Sequence, residues 1–470
     1  MARRTMFGMF AGAVLAVAGA MPAAADTLAG ALSNAYINSG LLDQNRAVLR
    51  AADEDVAQAI ASLRPVLSWS GEVTRQYGSS RNQGLAGDWN WTASTSNDVT
   101  ASLIASWTIY QGGSRVKQFY AAREAVLATR ASLVSVEQQV LYDAVSAFME
   151  VSRAMEIVQL RQNNVRVIGE EVRAARDRFE VGEVTRTDVA AAEAALAEAR
   201  SNLAAAQGQL EINREIYKAA IGNFPDGIVT PAGLPGLPDS VSAAKTRALQ
   251  VHPDIIQLRH AVAANDIGVE IAEAQMKPTV QLRGTYGVSE TFDSRAASRG
   301  GSVGINLSGP IYQGGALASQ VRQAMADRDA ARAQLYTASK RVEQSVGSSY
   351  AQLRIAQASL RSYREQVRAA RVAFDGIREE ATLGARTTLD VLDAEQDLLD
   401  ARAALISAQV DQTIAAYAVL ASVGQLTAEA LNLAVPRYDP AEYYNLVKTA
   451  PSTSEQGADL DRVLRALGKN

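Results

Sequence analysis

The pentapeptide IYQGG is written twice in this chain, at 109–113 and at 311–315. The offset is 311 − 109 = 202 residues, and it persists far downstream. Gly182 matches Gly384, Asp188 and Val189 match Asp390 and Val391, Glu193 matches Glu395, and Gly222 matches Gly424. Residues 109–222 and 311–424 therefore align without a gap. Upstream, Pro65 and Pro278 are 278 − 65 = 213 apart, so the extra 213 − 202 = 11 residues lie between the prolines and the pentapeptides. Such a chain builds one supersecondary unit twice and packs the copies together.

Most of each unit reads as helix. No proline occurs between Pro65 and Pro225 or between Pro310 and Pro436, and no glycine between Gly113 and Gly169. Alanine, glutamate, arginine and leucine dominate, all strong helix formers. Apolar residues recur every seventh position: Val151, Val158, Val165, Val172 and Phe179, then Leu353, Leu360, Val367 and Phe374. After Gly182 the spacing resumes through Val189, Leu196, Leu203, Leu210 and Tyr217, and after Gly384 through Val391, Leu398 and Leu405. A sustained heptad predicts left-handed coiled-coil packing. Each unit has an arm of about 68 residues, a glycine turn, and about 38 residues returning; the longer arm reaches roughly 100 Å. An arm that long needs neighbours beyond its own hairpin.

Between the arms the period changes from seven to two. Leu67, Trp69, Val73 and Tyr77 alternate with Ser68, Ser70, Glu72, Thr74 and Gln76. Val99, Ala101, Leu103, Ala105, Trp107 and Ile109 alternate with polar residues, broken only by Ile104. Val280, Leu282, Tyr286 and Val288, and Val303, Ile305, Leu307 and Ile311, repeat the pattern in the second unit. The lengths suit tilted strands crossing a hydrocarbon layer, with aromatic residues near their ends. The connecting stretches 78–98 and 289–302, rich in Gly, Ser, Asn and Arg, read as exposed loops. Four strands cannot close a barrel alone, because open sheet edges are not tolerated in lipid. Two chains would supply eight strands and three would supply twelve, both known for barrels.

The predicted organisation follows. Residues 1–25 read as a secretory signal peptide: Arg3 and Arg4, a small apolar run, and Ala23-Ala24-Ala25 ahead of Asp26. The first repeat spans 26–240, with strands at about 66–77 and 98–110, a helical hairpin at about 114–221, and a proline-rich linker at 222–240. The second spans 241–435, with strands at about 279–288 and 302–311 and a hairpin at about 316–423. The tail 436–470 is expected to be partly disordered, with Leu460, Val463, Leu464 and Leu467 spaced for a short amphipathic helix. Without Arg3 and Arg4 the basic count falls from 46 to 44 against 50 acids, which argues against nucleic-acid binding. With no cysteine, disulfides, thiolate metal sites and cysteine nucleophiles are excluded. No second apolar run reaches the length of a membrane-spanning helix. The two histidines, His252 and His260, lack a third ligand, so no metal, cofactor or enzymatic activity is expected.

These residues carry a resemblance. The stretches LSGPIYQGG (307–315), RFEVGEVTRTDV (178–189), LGARTTLDVLDAEQDLLDAR (383–402) and VHPDI (251–255) resemble those of the TolC family of Gram-negative outer-membrane efflux and secretion ducts. The match covers about residues 26–446. It departs from the family at NSGLL (38–42), where a proline is usual, and at Ala381, where some relatives carry tyrosine. The resemblance implies a mainly α chain with membrane β, assembling as a homotrimer. A twelve-stranded barrel in outer-membrane lipid would join a twelve-helix tunnel through the periplasm. An inner-membrane pump of ABC or RND type and a periplasmic adaptor would dock at the tip. The cargo, secreted protein (type I) or drug, stays open.

Site expectations follow from it. Gly182 and Gly384 mark the helix reversals; with Thr187, Asp188 and Arg386 they are expected to form the tip that meets the adaptor. Asp390 and Asp393, three apart on one helix face, match acidic rings lining the tunnel's narrow entrance. Six carboxylates around a pore would favour cations and raise some of their own pKa values. Tyr110, Gly112 and Gly113, with Tyr312, Gly314 and Gly315, are expected to end each returning strand and swing the chain into the long helix. The rival readings are a periplasmic adaptor, which needs only one hairpin, and a structural coiled-coil rod, which needs no amphipathic strands.

Overall fold

The structure is a computed structural model that describes residues 26–83, 87, 89–231, 233–292, 296–451 and 462. The expected signal peptide and the amphipathic spacing at 460–467 lie outside the described residues.

In chain order the elements are β1 (Asp26–Thr27), α1 (Leu28–Asn38), α2 (Gly40–Ala61), β2 (Val66–Gln83), β3 (Trp89–Gln111), α3 (Ser114–Glu180), α4 (Arg186–Ile221) and β4 (Ile228–Val229). The second repeat gives α5 (Val241–Val251), α6 (Pro253–Ala274), β5 (Thr279–Thr291), β6 (Ala296–Ser308), α7 (Ala316–Thr382) and α8 (Thr388–Val423), with α9 (Glu442–Val447) in the tail. Both α3 and α7 are 67 residues long, and both α4 and α8 are 36. At 1.5 Å per residue the long pair spans about 100 Å.

Four shorter helices that the heptads do not mark, α1, α2, α5 and α6, complete the layer. Along α3, α2 covers the end near the sheet and α4 the far end; α6 and α8 lie between α3 and α7 in the same way. The layer is thus four helices wide over both halves of its length. The joints are built alike. Asn38 Nδ2 donates to the Ile221 carbonyl at 3.1 Å where α4 ends beneath the α1–α2 break. A Cβ on Gly222 would lie 2.7 Å from that Asn38 nitrogen, and one on Gly424 would lie 2.8 Å from His252 Cα. Ser39, at φ −71° and ψ 107°, caps α2 by accepting from Leu42 N–H. His252, at φ −63° and ψ 127°, does the same for α6 through Nδ1. The NSGLL stretch therefore makes the proline-type break without proline, because Ser39 supplies the cap.

Most heptad positions point into the layer, whereas Phe179, beside the turn, is exposed. Val158, Val172, Leu210 and Tyr217 are buried in the first unit, and Leu353, Leu360, Phe374, Val391 and Leu398 in the second. Helix α8 has a stretch apolar enough to cross a membrane by composition. Its packing against α3, α5 and α7 accounts for that, as for any core helix. The segment after α8 straps the layer: Leu426 is fully buried, Tyr443 donates to Glu54 at 2.6 Å, and Arg64 donates to the Thr449 and Ala450 carbonyls.

The four long strands form one antiparallel sheet in the order β2-β3-β5-β6. Register brings the apolar parity of every strand to one face: Trp69 opposes Leu103, Leu103 opposes Tyr286, and Leu282 opposes Ile305. The other face carries Ser70, Ser102, Gln281 and Asn306. The outlier Ile104 sits on that polar face, between Ser68 and Thr285.

Three strand features differ from the sequence reading. Within the stretches read as loops, residues 78–83, 89–98, 289–291 and 296–302 are strand, since β2 and β3 continue to Gln83 and from Trp89, and β5 and β6 continue to Thr291 and from Ala296. Alternation fades there, and the pairing is carried by the backbone ladder. The fourth strand stops at Ser308 rather than 311, so the second IYQGG lies outside the sheet. Gly309 and Pro310 stand there where the first unit has Trp107 and Thr108, and proline has no N–H to donate. Finally, register slips between Thr108 and Tyr110, a bulge that leaves Ile109 unpaired and turns Tyr110 onto the apolar face beside Val280.

Candidate functional site

Both strand–helix junctions rest on paired left-handed glycines. Gly112 and Gly113 have φ of 62° and 82°, and Gly314 and Gly315 have 60° and 85°. The second of each pair is the N-cap of its long helix. The first junction is packed: a Cβ on Gly112 would meet the Ala274 carbonyl oxygen at 2.5 Å, whereas one on Gly314 would meet nothing. Trp107 Nε1 donates to the Leu63 carbonyl at 3.0 Å and ties the base of the sheet to the end of α2. Tyr110 is 43 % exposed and Tyr312 86 %.

At the opposite end the two helical turns repeat one another closely. Gly182 and Gly384 have φ of 81° and 77°. Thr185 and Asp188 form a capping box at the start of α4, and Thr387 and Asp390 form the same box on α8. Asp390 Oδ2 accepts from Thr387 N and Oγ1, both at 2.9 Å. Asp188 Oδ2 accepts from Thr185 N at 2.8 Å and Oγ1 at 2.7 Å. The backbone N–H and hydroxyl of Thr387 hold the Asp390 carboxyl below the usual range, and Thr185 does the same for Asp188. Within one chain both aspartates therefore stay ionised and complete a helix start. Arg386 Nε donates to Glu380 at 2.9 Å. Thr187 is exposed. A groove of about 480 Å³ between the turns is lined by Asp188, Gly384 and Arg386, among others.

Asp393 is placed differently. It is exposed and lines a groove of about 390 Å³ between the two hairpins, with Ala191 in the same groove. The duplication makes these two residues counterparts (393 − 202 = 191), so the groove brings matched positions of α4 and α8 together.

Here the structure assigns partners that spacing alone could not, to the matched Glu193 and Glu395 and to two arginines the sequence reading had not singled out. Arg176 pairs with Glu193 at 2.5 Å inside the first hairpin. Their counterparts are Arg378 and Glu395, but these do not pair. Arg378 reaches across to Glu171 on α3 at 3.6 Å. Glu395 is buried at 7 % exposure, and burial raises its pKa against the pull of Arg402. Identical residues at the repeat offset thus bind within one hairpin and between hairpins in the other. The offset itself was the available signal; which partner wins is decided by packing.

Comparison with known proteins agrees with this architecture. The family described as outer membrane efflux protein matches at residues 31–223 and 245–425, which takes in both hairpins. The outer membrane efflux protein BepC of Brucella suis is 36 % identical over 428 residues, 91 % of each chain. The outer membrane protein TolC of Escherichia coli is 26 % identical over 452 residues, 92 % of this chain and 87 % of that one. The CmeC outer membrane channel of Campylobacter jejuni superposes with a TM-score of 0.76 over 91 % of this chain and 90 % of that one, at 17 % identity, and so shares the fold. With its two matched hairpins and its one-faced apolar sheet, the chain belongs to the outer membrane efflux protein family and is an efflux or secretion channel of the Gram-negative outer membrane.

Proposed function

We propose that three copies of this chain close a twelve-stranded barrel over a twelve-helix tunnel, forming the passive exit duct of a tripartite export system. The observation that carries this is the open sheet. Its edge strands β2 and β6 are unpaired, and its exposed apolar face needs lipid. Edges of that kind survive in hydrocarbon only when they are joined to other strands. The helical layer has the same need. Val48 on α2 and Ile212 and Ile216 on α4 are exposed along one edge, and Tyr336, Ile355 and Val372 along α7 at the other. Joining one edge to the other in three copies gives each long arm a neighbour on both flanks.

In that assembly the turns at Gly182 and Gly384, with Thr187, Asp188 and Arg386, form the tip where a periplasmic adaptor and the inner-membrane pump dock. Asp393, exposed and not committed to a cap, supplies the ring of carboxylates at the narrow end, and Asp390 adds fixed negative charge behind it. Three or six carboxylates around a pore select cations. The test is conductance of the purified protein in a planar bilayer. Cation-selective channels are expected, and Asp393→Ala is expected to lower the cation-to-anion permeability ratio several-fold. Absence of conductance from a protein that fractionates as a soluble monomer would overturn the duct, whereas unchanged selectivity in Asp393→Ala would remove only the ring.

A further inference from the structure

One face of α8 is given over to the other hairpin. Thr388, Leu392, Glu395 and Leu399 are spaced four, three and four residues apart, so they form one stripe along the helix. All four are buried. Leu392 enters the core of the first hairpin, with Ile168, Val172 and Ala199, whereas Val391, Ala394 and Leu398 turn inward with Phe374 of their own hairpin. The matching positions of α4, Arg186, Ala190, Glu193 and Ala197, are exposed. What buries the stripe is therefore the docking of the second hairpin on α3, not the folding of either hairpin.

Glu395 is the one ionisable residue of that stripe. Its counterpart Glu193 has Arg176 at 2.5 Å, but Arg378, the counterpart of Arg176, is drawn to Glu171 of α3. The groups around Glu395 come from four helices. Arg402 on α8, Asn164 on α3 and Arg378 on α7 favour its ionised form, and Glu171 on α3 opposes it; Glu198 of α4 and Asp393 line the groove alongside. Burial outweighs the two arginines and raises the carboxyl above its usual 4.5. An ionised carboxylate in such a seam costs stability unless it is fully paired. Separating the hairpins returns it to water and removes that cost. The docked arrangement thus binds the proton more tightly than the separated one. Acid favours docking, and the preference is lost as pH rises above 4.5 through the raised pKa.

We propose that Glu395 is the positioning residue of a proton-operated latch between the two hairpins: protonated, it lets the stripe close on α3, and ionised, it works the stripe loose. In the duct this couples the periplasmic tip to the pH around it, a consequence that rests on the reading above. The latch itself lies within one chain.

The chain has no cysteine, so a thiol placed in the seam is read alone. Leu399→Cys replaces a residue 2 % exposed in the stripe, and its rate of modification by a maleimide reports separation of the hairpins. Leu398→Cys replaces one equally buried inside the second hairpin and reports loosening of that hairpin itself. Rates are measured on the full-length protein in detergent at pH 5 and pH 7.5, each divided by the rate of the denatured protein at the same pH. The Leu399→Cys rate is expected to rise several-fold from pH 5 to pH 7.5, while the Leu398→Cys rate stays level. Adding Glu395→Gln should hold Leu399→Cys at its slow value at both pH values, and Glu395→Asp should restore the rise. A level rate at Leu399→Cys, the same rise at Leu398→Cys, or a rise that persists with Glu395→Gln would each overturn the latch. Should Glu395→Gln fail to fold, the first two comparisons still decide. The bilayer test of the duct is separate: a protein without conductance overturns the duct and leaves the labelling result standing.

Discussion

Asp53 shows how much one side chain can depend on its surroundings. It is fully buried on α2, both its oxygens lack a hydrogen-bond partner, and Arg130 stands 4.0 Å away on α3. Burial pushes its pKa from 3.8 to about 6, with Arg130 opposing and Glu54 adding to the rise. A carboxyl raised in the folded state binds its proton more tightly there than in the unfolded chain. Its penalty is therefore absent below about 3.8, grows as pH rises from 3.8 to about 6, and is complete above that. Melting of the detergent-solubilised protein is expected to show about 1 kcal/mol more stability at pH 5 than at pH 7.5 from this group. Asp53→Asn should flatten that dependence, and an unchanged pH profile would show that the carboxylate is solvated. Gly112 is the second residue whose environment decides its tolerance. Gly112→Ala combines a left-handed backbone with a clash on the Ala274 carbonyl, whereas Gly314→Ala meets open space within the chain. The left-handed term, about 1–2 kcal/mol, applies to both, so it is the added clash that should make Gly112→Ala lower the melting temperature more than Gly314→Ala.

At the scale of elements, the two hairpins are near copies with different wiring. The Arg176–Glu193 pair closes the first on itself, while Arg378 ties the second to Glu171 of the first. Arg378→Ala should therefore loosen one hairpin against the other, whereas Arg176→Ala loosens only its own. Exposed pairs of this kind contribute about 1 kcal/mol or less, enough to shift a balanced tip. We expect higher open probability in single-channel records from Arg378→Ala and little change from Arg176→Ala. The period of seven made α3, α4, α7 and α8 legible, because each buries one continuous stripe. It did not reveal α1 and α2, which are short, separated by the single residue Ser39, and packed partly by a joint around Asn38. The period of two likewise marked the strands only where one face meets lipid. Past Tyr77 the ladder continues on backbone hydrogen bonds, which leave little trace in side-chain pattern.

For the whole molecule, the unpartnered edges are the basis of the proposed trimer. Val372, 70 % exposed on α7, and Ile212 on α4 lie on opposite margins of the helical layer. In the proposed trimer, Val372→Asp would place a charge where the neighbouring chain packs, at a cost of several kcal/mol per buried ion. Light scattering in detergent is expected to show a trimer for wild type and smaller species for the variant. A full-sized trimer in the variant would move the interface elsewhere. The sequence by itself determined the duplication, the hairpin lengths, the one-faced strands and the turn glycines, since each depends on local spacing that repeats along the chain. It also marked the two helical turns, through Gly182 and Gly384. Only the tertiary structure decided that Asp390 caps its own helix while Asp393 stays exposed, and that identical Arg–Glu positions pair in one hairpin and cross over in the other. It also decided that the second IYQGG falls outside the sheet. Those outcomes turn on which neighbour lies within a few ångströms, and two copies of the same letters meet different neighbours.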